Sequence, residues 1–237
     1  LARLGRAETR AHCLAALDGD DAFVRRQAQI AARLLLGGDD GSRVPAAGLG
    51  SDAAAFGIAM AGRGAADPDL RVRREGIRLL GLLDAGRTLA GAREAFGRER
   101  PDPFGRPHWA DAVAGSEAAL AAFLEQQGAA EGTPPPEDGG LALALAARCA
   151  APGLVPPVAA ALEALQPGDF ADCHAALIRQ RDRGLLRRAV ALRAALPKPF
   201  LPRLADALER VFEAGLGGDL DAWEEWLQRA EETNAQR

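Results

Sequence analysis

The run Asp67–Leu83, DPDLRVRREGIRLLGLL, limits the possible fold more than any other stretch of the chain. An acid-proline-acid turn leads at once into Val72, Arg73 and Arg74. Gly76, Leu79, Leu80 and Leu83 then follow Val72 at offsets of four, seven, eight and eleven, which is one stripe of an α-helix. Asp69 stands where that helix should begin. Its carboxylate can accept hydrogen bonds from the unpaired first-turn amides, and it meets the positive end of the helix dipole. Arg71, Arg73, Arg74 and Arg78 fall mainly off the stripe. Gly76 costs an isolated helix about 1 kcal/mol relative to Ala, so its place within the stripe predicts close approach of another backbone.

The pattern recurs. In GDDAFVRRQAQIAARLLL, Asp21 precedes Val24 as Asp69 precedes Val72, and Arg25 and Arg26 match Arg73 and Arg74. Ala28, Ala31, Ala32 and Leu35 take the places of Gly76, Leu79, Leu80 and Leu83, so Val24 and Val72 are expected to be buried alike. A looser copy is DRGLLRRAVALRAAL, with Leu186, Arg187 and Arg188 in the apolar-Arg-Arg slots and Asp182 near the turn. A helix-like stretch precedes each copy: ETRAHCLAAL, DAAAFGIAMAG and FADCHAALIRQ. The unit is helix, acidic turn, helix. Alanine is abundant and tyrosine absent, whereas sheets draw on β-branched and aromatic residues, so the expected class is all-α.

An apolar first helix, an Asp-Pro-Asp turn, Val-Arg and a Leu-rich second helix together resemble the HEAT repeat. That resemblance implies a right-handed α-α superhelix, or solenoid, of about six helix pairs, in which turn Asp and helix Arg join neighbouring layers rather than catalyse. Each pair would be too thin to cover its own apolar face and would be stable only when stacked. The expected division is N-terminal repeats over 1–128, a Pro/Gly-rich linker over 129–140, and C-terminal repeats over 141–237. RTLAGAREAF and ADAVAGSEAALAAFLEQ form one further pair, joined by the long connection GRERPDPFGRPHW. LALALAARCAA with PPVAAALEAL, and PFLPRLADALERVFEAG with DLDAWEEWLQRAEE, complete the array. Asp221 and Glu224 have capping-box spacing, and Trp223, Trp226 and Leu227 form the apolar stripe of a terminal capping helix.

The net charge is −4, and Lys198 is the only lysine. Heavy arginine use beside so much Ala and Gly follows from GC-rich coding, and a nucleic-acid partner, which favours a basic footprint, is not expected. No run is long and apolar enough to span a membrane. Cys13, Cys149 and Cys173 are too few and too far apart for a disulfide framework, so reduced thiols and a cytoplasmic location are expected. The chain opens on Leu1, which reads as a piece of a longer polypeptide.

No residue set matches a phosphate loop, a nucleophile elbow or a zinc-binding helix, and no cofactor is expected. His12-Cys13 and Cys173-His174 carry metal-ligand chemistry, but adjacent residues on a helix point about 100° apart and chelate poorly. Asp18, Asp20, Asp21, Asp39 and Asp40 lack the ligand spacing of a calcium loop. The most distinctive segment is DPFGRPHW, where Phe104, Arg106, His108 and Trp109 could form a recognition surface. The expected function is a non-catalytic binding or scaffold module that holds a partner protein on a concave face. The alternative is a helical-repeat enzyme or enzyme-helper resembling DNA alkyl-base glycosylases or bilin lyases.

Overall fold

The structure, a computed structural model, describes residues 6–37, 50–97, 103–129 and 136–235. Every regular element among them is helical. The chain divides into two compact units, Leu1–Phe123 and Leu124–Arg237. Among the described residues no helix is long and apolar enough to cross a membrane.

Unit 1 contains α1 (Arg6–Ala16), α2 (Ala22–Gly37), α3 (Ser51–Ala65), α4 (Leu70–Leu83), α5 (Ala85–Phe96) and α6 (Arg106–Ala114). The next helix, α7 (Glu117–Ala129), begins in this unit and carries the boundary within it. Sequential helices pack together, α1 on α2, α3 on α4 and α5 on α6, and α4 also touches both α2 and α6.

The helix α4 forms for the reasons its sequence suggests. Asp69 is the N-cap, and its carboxylate accepts from the Arg71 and Val72 amides at 2.9 and 3.4 Å. A cap of this kind stabilises by about 1 kcal/mol. Val72, Gly76, Leu79 and Leu80 are buried as the stripe requires, and Ile77 joins them. Each large apolar side chain so buried contributes roughly 1.5–3 kcal/mol. At Gly76 the expected backbone approach is present: a Cβ there would lie 2.3 Å from the Ala65 nitrogen and the Gly64 carbonyl carbon. The helices α3 and α4 cross through this glycine pair.

The first copy departs from the second. Val72 is fully buried, but Val24 is 44% exposed and Phe23 beside it is also exposed. Ala28 and Ala32 are buried as expected and Leu36 is buried in place of Leu35, together with Gln29, whose Nε2 donates to the Met60 carbonyl at 2.7 Å. The physical difference lies in the neighbours. In the first turn of α2 it is Arg25, not Val24, that turns inward, its side chain 13% exposed and paired with Asp67 in the α3-α4 turn.

Two further expectations change around residue 110. The long connection is shorter than predicted, because α6 starts at Arg106 with Pro107 in its first turn, so His108 and Trp109 are helical. The stretch read as one helix from Ala110 to Gln126 is broken after Ala114. There Gly115 ends α6, and the Ser116 hydroxyl accepts from the Ala119 amide at 3.3 Å to start α7. Apolar periodicity runs through this break, which is why it was hidden.

Unit 2 holds the rest of α7 with α8 (Pro136–Ala146), α9 (Val155–Leu162), α10 (Phe170–Gln180), α11 (Arg183–Ala191), α12 (Leu201–Phe212) and α13 (Leu220–Ala235). Short 3-10 turns at Pro152–Leu154, Pro167–Asp169 and Lys198–Phe200 lead into α9, α10 and α12. Here the contacts run in two series, α8 to α10 to α12 and α9 to α11 to α13. Residues Leu141–Ala146 of α8 are buried on every side, as an all-apolar sequence demands. The helix begins at Pro136, five residues ahead of the predicted Leu141. The Asp138 carboxylate in its first turns is buried and accepts from Gln127 Nε2 at 2.6 Å. Of the three long connections, residues 38–49, 98–102 and 130–135 lie outside the described part of the chain, and Asp39 and Asp40 with them.

The last helix is capped by Asp219, not by the predicted Asp221–Glu224 box. The Asp219 carboxylate accepts from the Asp221 and Ala222 amides at 3.0 and 3.1 Å. Asp221 and Glu224 turn instead to Arg193, at 2.9 and 2.7 Å, because Arg193 follows α11, against which α13 packs. Trp223 is fully buried, meets Trp226 edge-on and Phe212 at a tilt, and donates its Nε1 to the Gly217 carbonyl at 3.0 Å. Gly217 holds φ at +58°, a conformation that favours glycine.

Candidate functional site

Within unit 1, α2, α4 and α6 together wall a cleft of about 450 Å³. At its wall α4 and α6 touch: a Cβ on Gly81 would meet Ala112 at 3.0 Å. Arg33 projects from α2, Arg74 and Arg78 from successive turns of α4, and His108 and Asp111 from α6. Arg74 and Arg78 lie off the buried stripe of α4, four residues apart, so both reach the same face.

This cleft is under-neutralised. The buried Arg33 Nε has no hydrogen-bond partner, and among the described residues neither Arg33 nor Arg74 is held in an ion pair. Arg78 approaches the buried Glu75 only to 3.8 Å, and the same carboxylate is 3.9 Å from Arg26. These distances are Coulombic contacts, too long for hydrogen bonds. Among the described residues Asp111 is the one carboxylate lining the cleft, against three arginines.

A second cleft, of about 520 Å³, lies among α3, α4, α5 and α6, with Arg73, Leu80, Arg87, Gly91 and Trp109 in its wall. Trp109 is 8% exposed, and Gly91 makes room for it, since a Cβ there would fall 2.3 Å from the indole.

The four residues picked out from the sequence therefore go four ways. Phe104 is 69% exposed. Arg106 donates to the Ala95 and Phe96 carbonyls at 3.2 and 3.3 Å and stacks over the Phe96 ring, closing the C-terminus of α5. His108 faces the arginine cleft, while Trp109 fills space between helices. The helix begun at Arg106 turns consecutive side chains to different faces. Arg33 in the cleft went unnoticed in sequence, and Arg74 and Arg78 stood there only as off-stripe residues. Their signal is the pair of arginines one helical turn apart on the polar side of an otherwise apolar helix.

The remaining candidates are tied into structure. His12 bonds the Glu8 carbonyl at 2.7 Å, and His174 bonds Asp206 at 2.6 Å. Burial pushes the Cys13, Cys149 and Cys173 thiols up, most strongly at Cys173. Among the described residues no three His, Cys, Asp or Glu side chains converge as metal ligands would. Asp18 pairs with Arg63 at 3.1 Å, and Asp21 accepts from the Phe23 amide at the start of α2. Comparison with protein-family models, curated proteins and solved structures finds no match.

Proposed function

We propose that this chain is a non-catalytic protein-binding module made of HEAT-like helix pairs stacked as a right-handed solenoid, with its partner held on the concave face. The observation that carries this reading is the contact pattern of α4. It touches its own pair-mate α3 and also the second helices before and after it, α2 and α6, as a stacked layer would. The recurring series α8-α10-α12 and α9-α11-α13 in unit 2 supports the same reading. So does the Arg25–Asp67 pair, which ties the second helix of one pair to the turn of the next. In this reading α2, α4 and α6 form the inner row, and the arginine cleft opens on it.

Cross-linking of the purified protein to a captured and identified partner, followed by peptide mapping, tests the proposal. Cross-links concentrated on α2, α4 and α6 are the expected result. A turnover activity abolished by one surface substitution, with no protein partner recovered, would overturn it.

A further inference from the structure

The charge of the α2-α4-α6 cleft specifies what should sit in it. Three arginines from two helices line about 450 Å³, with one lining carboxylate among the described residues. Like charges held together repel, and a buried N–H without an acceptor, such as Arg33 Nε, carries an unrecovered desolvation cost. The repulsion falls when an anionic group with several acceptor oxygens enters. Planar guanidinium groups pair with carboxylates through two parallel hydrogen bonds, so Arg-rich sites suit such groups.

We propose that the cleft binds an acidic segment of the partner protein, with Glu or Asp carboxylates seated between Arg33, Arg74 and Arg78. This inference rests on the protein-binding reading above and names the chemistry of the partner. A polypeptide is favoured over a nucleic acid for two reasons. The whole chain carries a net charge of −4, so there is no broad positive field to follow a phosphate backbone. Among the described residues the cleft wall offers no indole or phenyl ring on which a base could stack, only the His108 imidazole; Leu82, Gly81 and Ala112 form its apolar part. Those small apolar surfaces suit the methylene stems of Glu.

Fluorescence anisotropy on the intact protein tests this, with a labelled glutamate-rich peptide, its glutamine counterpart and an oligothymidylate of equal charge. The glutamate peptide should bind at least about tenfold more tightly than the other two and weaken as salt rises. Arg74→Glu and Arg78→Ala, both at exposed positions, should each weaken it by about tenfold. Arg203→Glu, on α12 and outside the cleft, should leave it unchanged, and the far-ultraviolet circular dichroism of all three variants should match the parent. Equal or tighter binding of the oligothymidylate overturns the proposal, as does glutamate-peptide binding that is absent or indifferent to Arg74→Glu. A mapped partner that binds the Arg74→Glu variant undiminished also overturns it, while leaving the protein-binding reading intact. Conversely, carboxylate selectivity lost in Arg74→Glu supports the assignment of the cleft even where capture yields no partner, and the binding-module reading then fails alone.

Discussion

Arg25 and Asp67 grip each other through two parallel hydrogen bonds, Nε to Oδ2 at 2.8 Å and Nη2 to Oδ1 at 3.1 Å, across 42 residues of sequence. The side chains are only 13% and 9% exposed. The remaining nitrogen of Arg25, Nη1, donates to the Gly19 and Asp20 carbonyls at 3.0 and 2.8 Å, and Asp67 also accepts from the Asp69 amide. One ion pair thus fixes the α1-α2 turn, the start of α2 and the α3-α4 turn together. Arg25→Ala and Asp67→Ala should each lower Tm by several degrees. The double variant should lose less than the sum, because each single change strands the other charge. Additive losses in a thermal double-mutant cycle would show that the pair is not a coupled joint.

Val72 and Val24 occupy matching sequence slots and should respond in opposite ways. Val72→Asp puts an unpaired carboxylate where nothing reaches solvent and should cost about 4 kcal/mol or more. Val24→Asp, at a position 44% exposed, should stay within about 0.5 kcal/mol of the parent. Urea unfolding of the two variants side by side distinguishes them.

Glycine replacement separates contact from propensity. Gly76→Ala gains about 1 kcal/mol of helix preference but drives a methyl group into the α3 backbone, and the net change should be a loss of about 1–3 kcal/mol. Nothing lies within 4 Å of a Cβ placed on Gly62 in α3. Gly62→Ala should therefore stabilise by about 0.5–1 kcal/mol. Equal effects at the two sites would contradict the crossing.

Acid sensitivity should report the pair formed by His174 and Asp206. The hydrogen bond from His174, and then that from Arg210, hold the Asp206 carboxyl below its ordinary value of 3.8. A depressed carboxyl stabilises the folded chain fully above that ordinary value and loses the contribution as pH falls through the lowered one. Asp206→Asn should therefore be less stable than the parent at neutral pH and should lose less of its stability on acidification below about pH 4. Parallel stability-against-pH curves would remove the assignment.

Thiol labelling should rank the cysteines. Cys149, partly exposed and close to the Arg179 charge, should react first in the native state, with Cys13 slower. Cys173, fully buried and with its thiol driven furthest up, should react only at the rate of opening. Mass spectrometry of timed alkylation reads the order directly.

Much of the helical framework could be read from residues alone, because local chemistry decided it. Asp69 caps a helix where predicted, Asp182, placed near the turn, caps α11, and FADCHAALIRQ coincides with α10. Other features depended on tertiary neighbours. Asp219 took the cap from Asp221 because Arg193 claimed Asp221 and Glu224. Val24 lies outward because Arg25 beside it takes the inward place, paired with Asp67. The arginine cleft was the least legible part. Its members come from α2, α4 and α6, and in a chain so rich in arginine no single one of them stood out.

The backbone contact at Gly64 and Gly76 carries a last consequence. Two rods that meet spine to spine cannot slide or roll without collision, whatever covers their other faces, so α3 and α4 should move as one brick. In a saturation library these two positions should tolerate almost no replacement. Drift in the surrounding sequence would then be absorbed at the mortar between bricks.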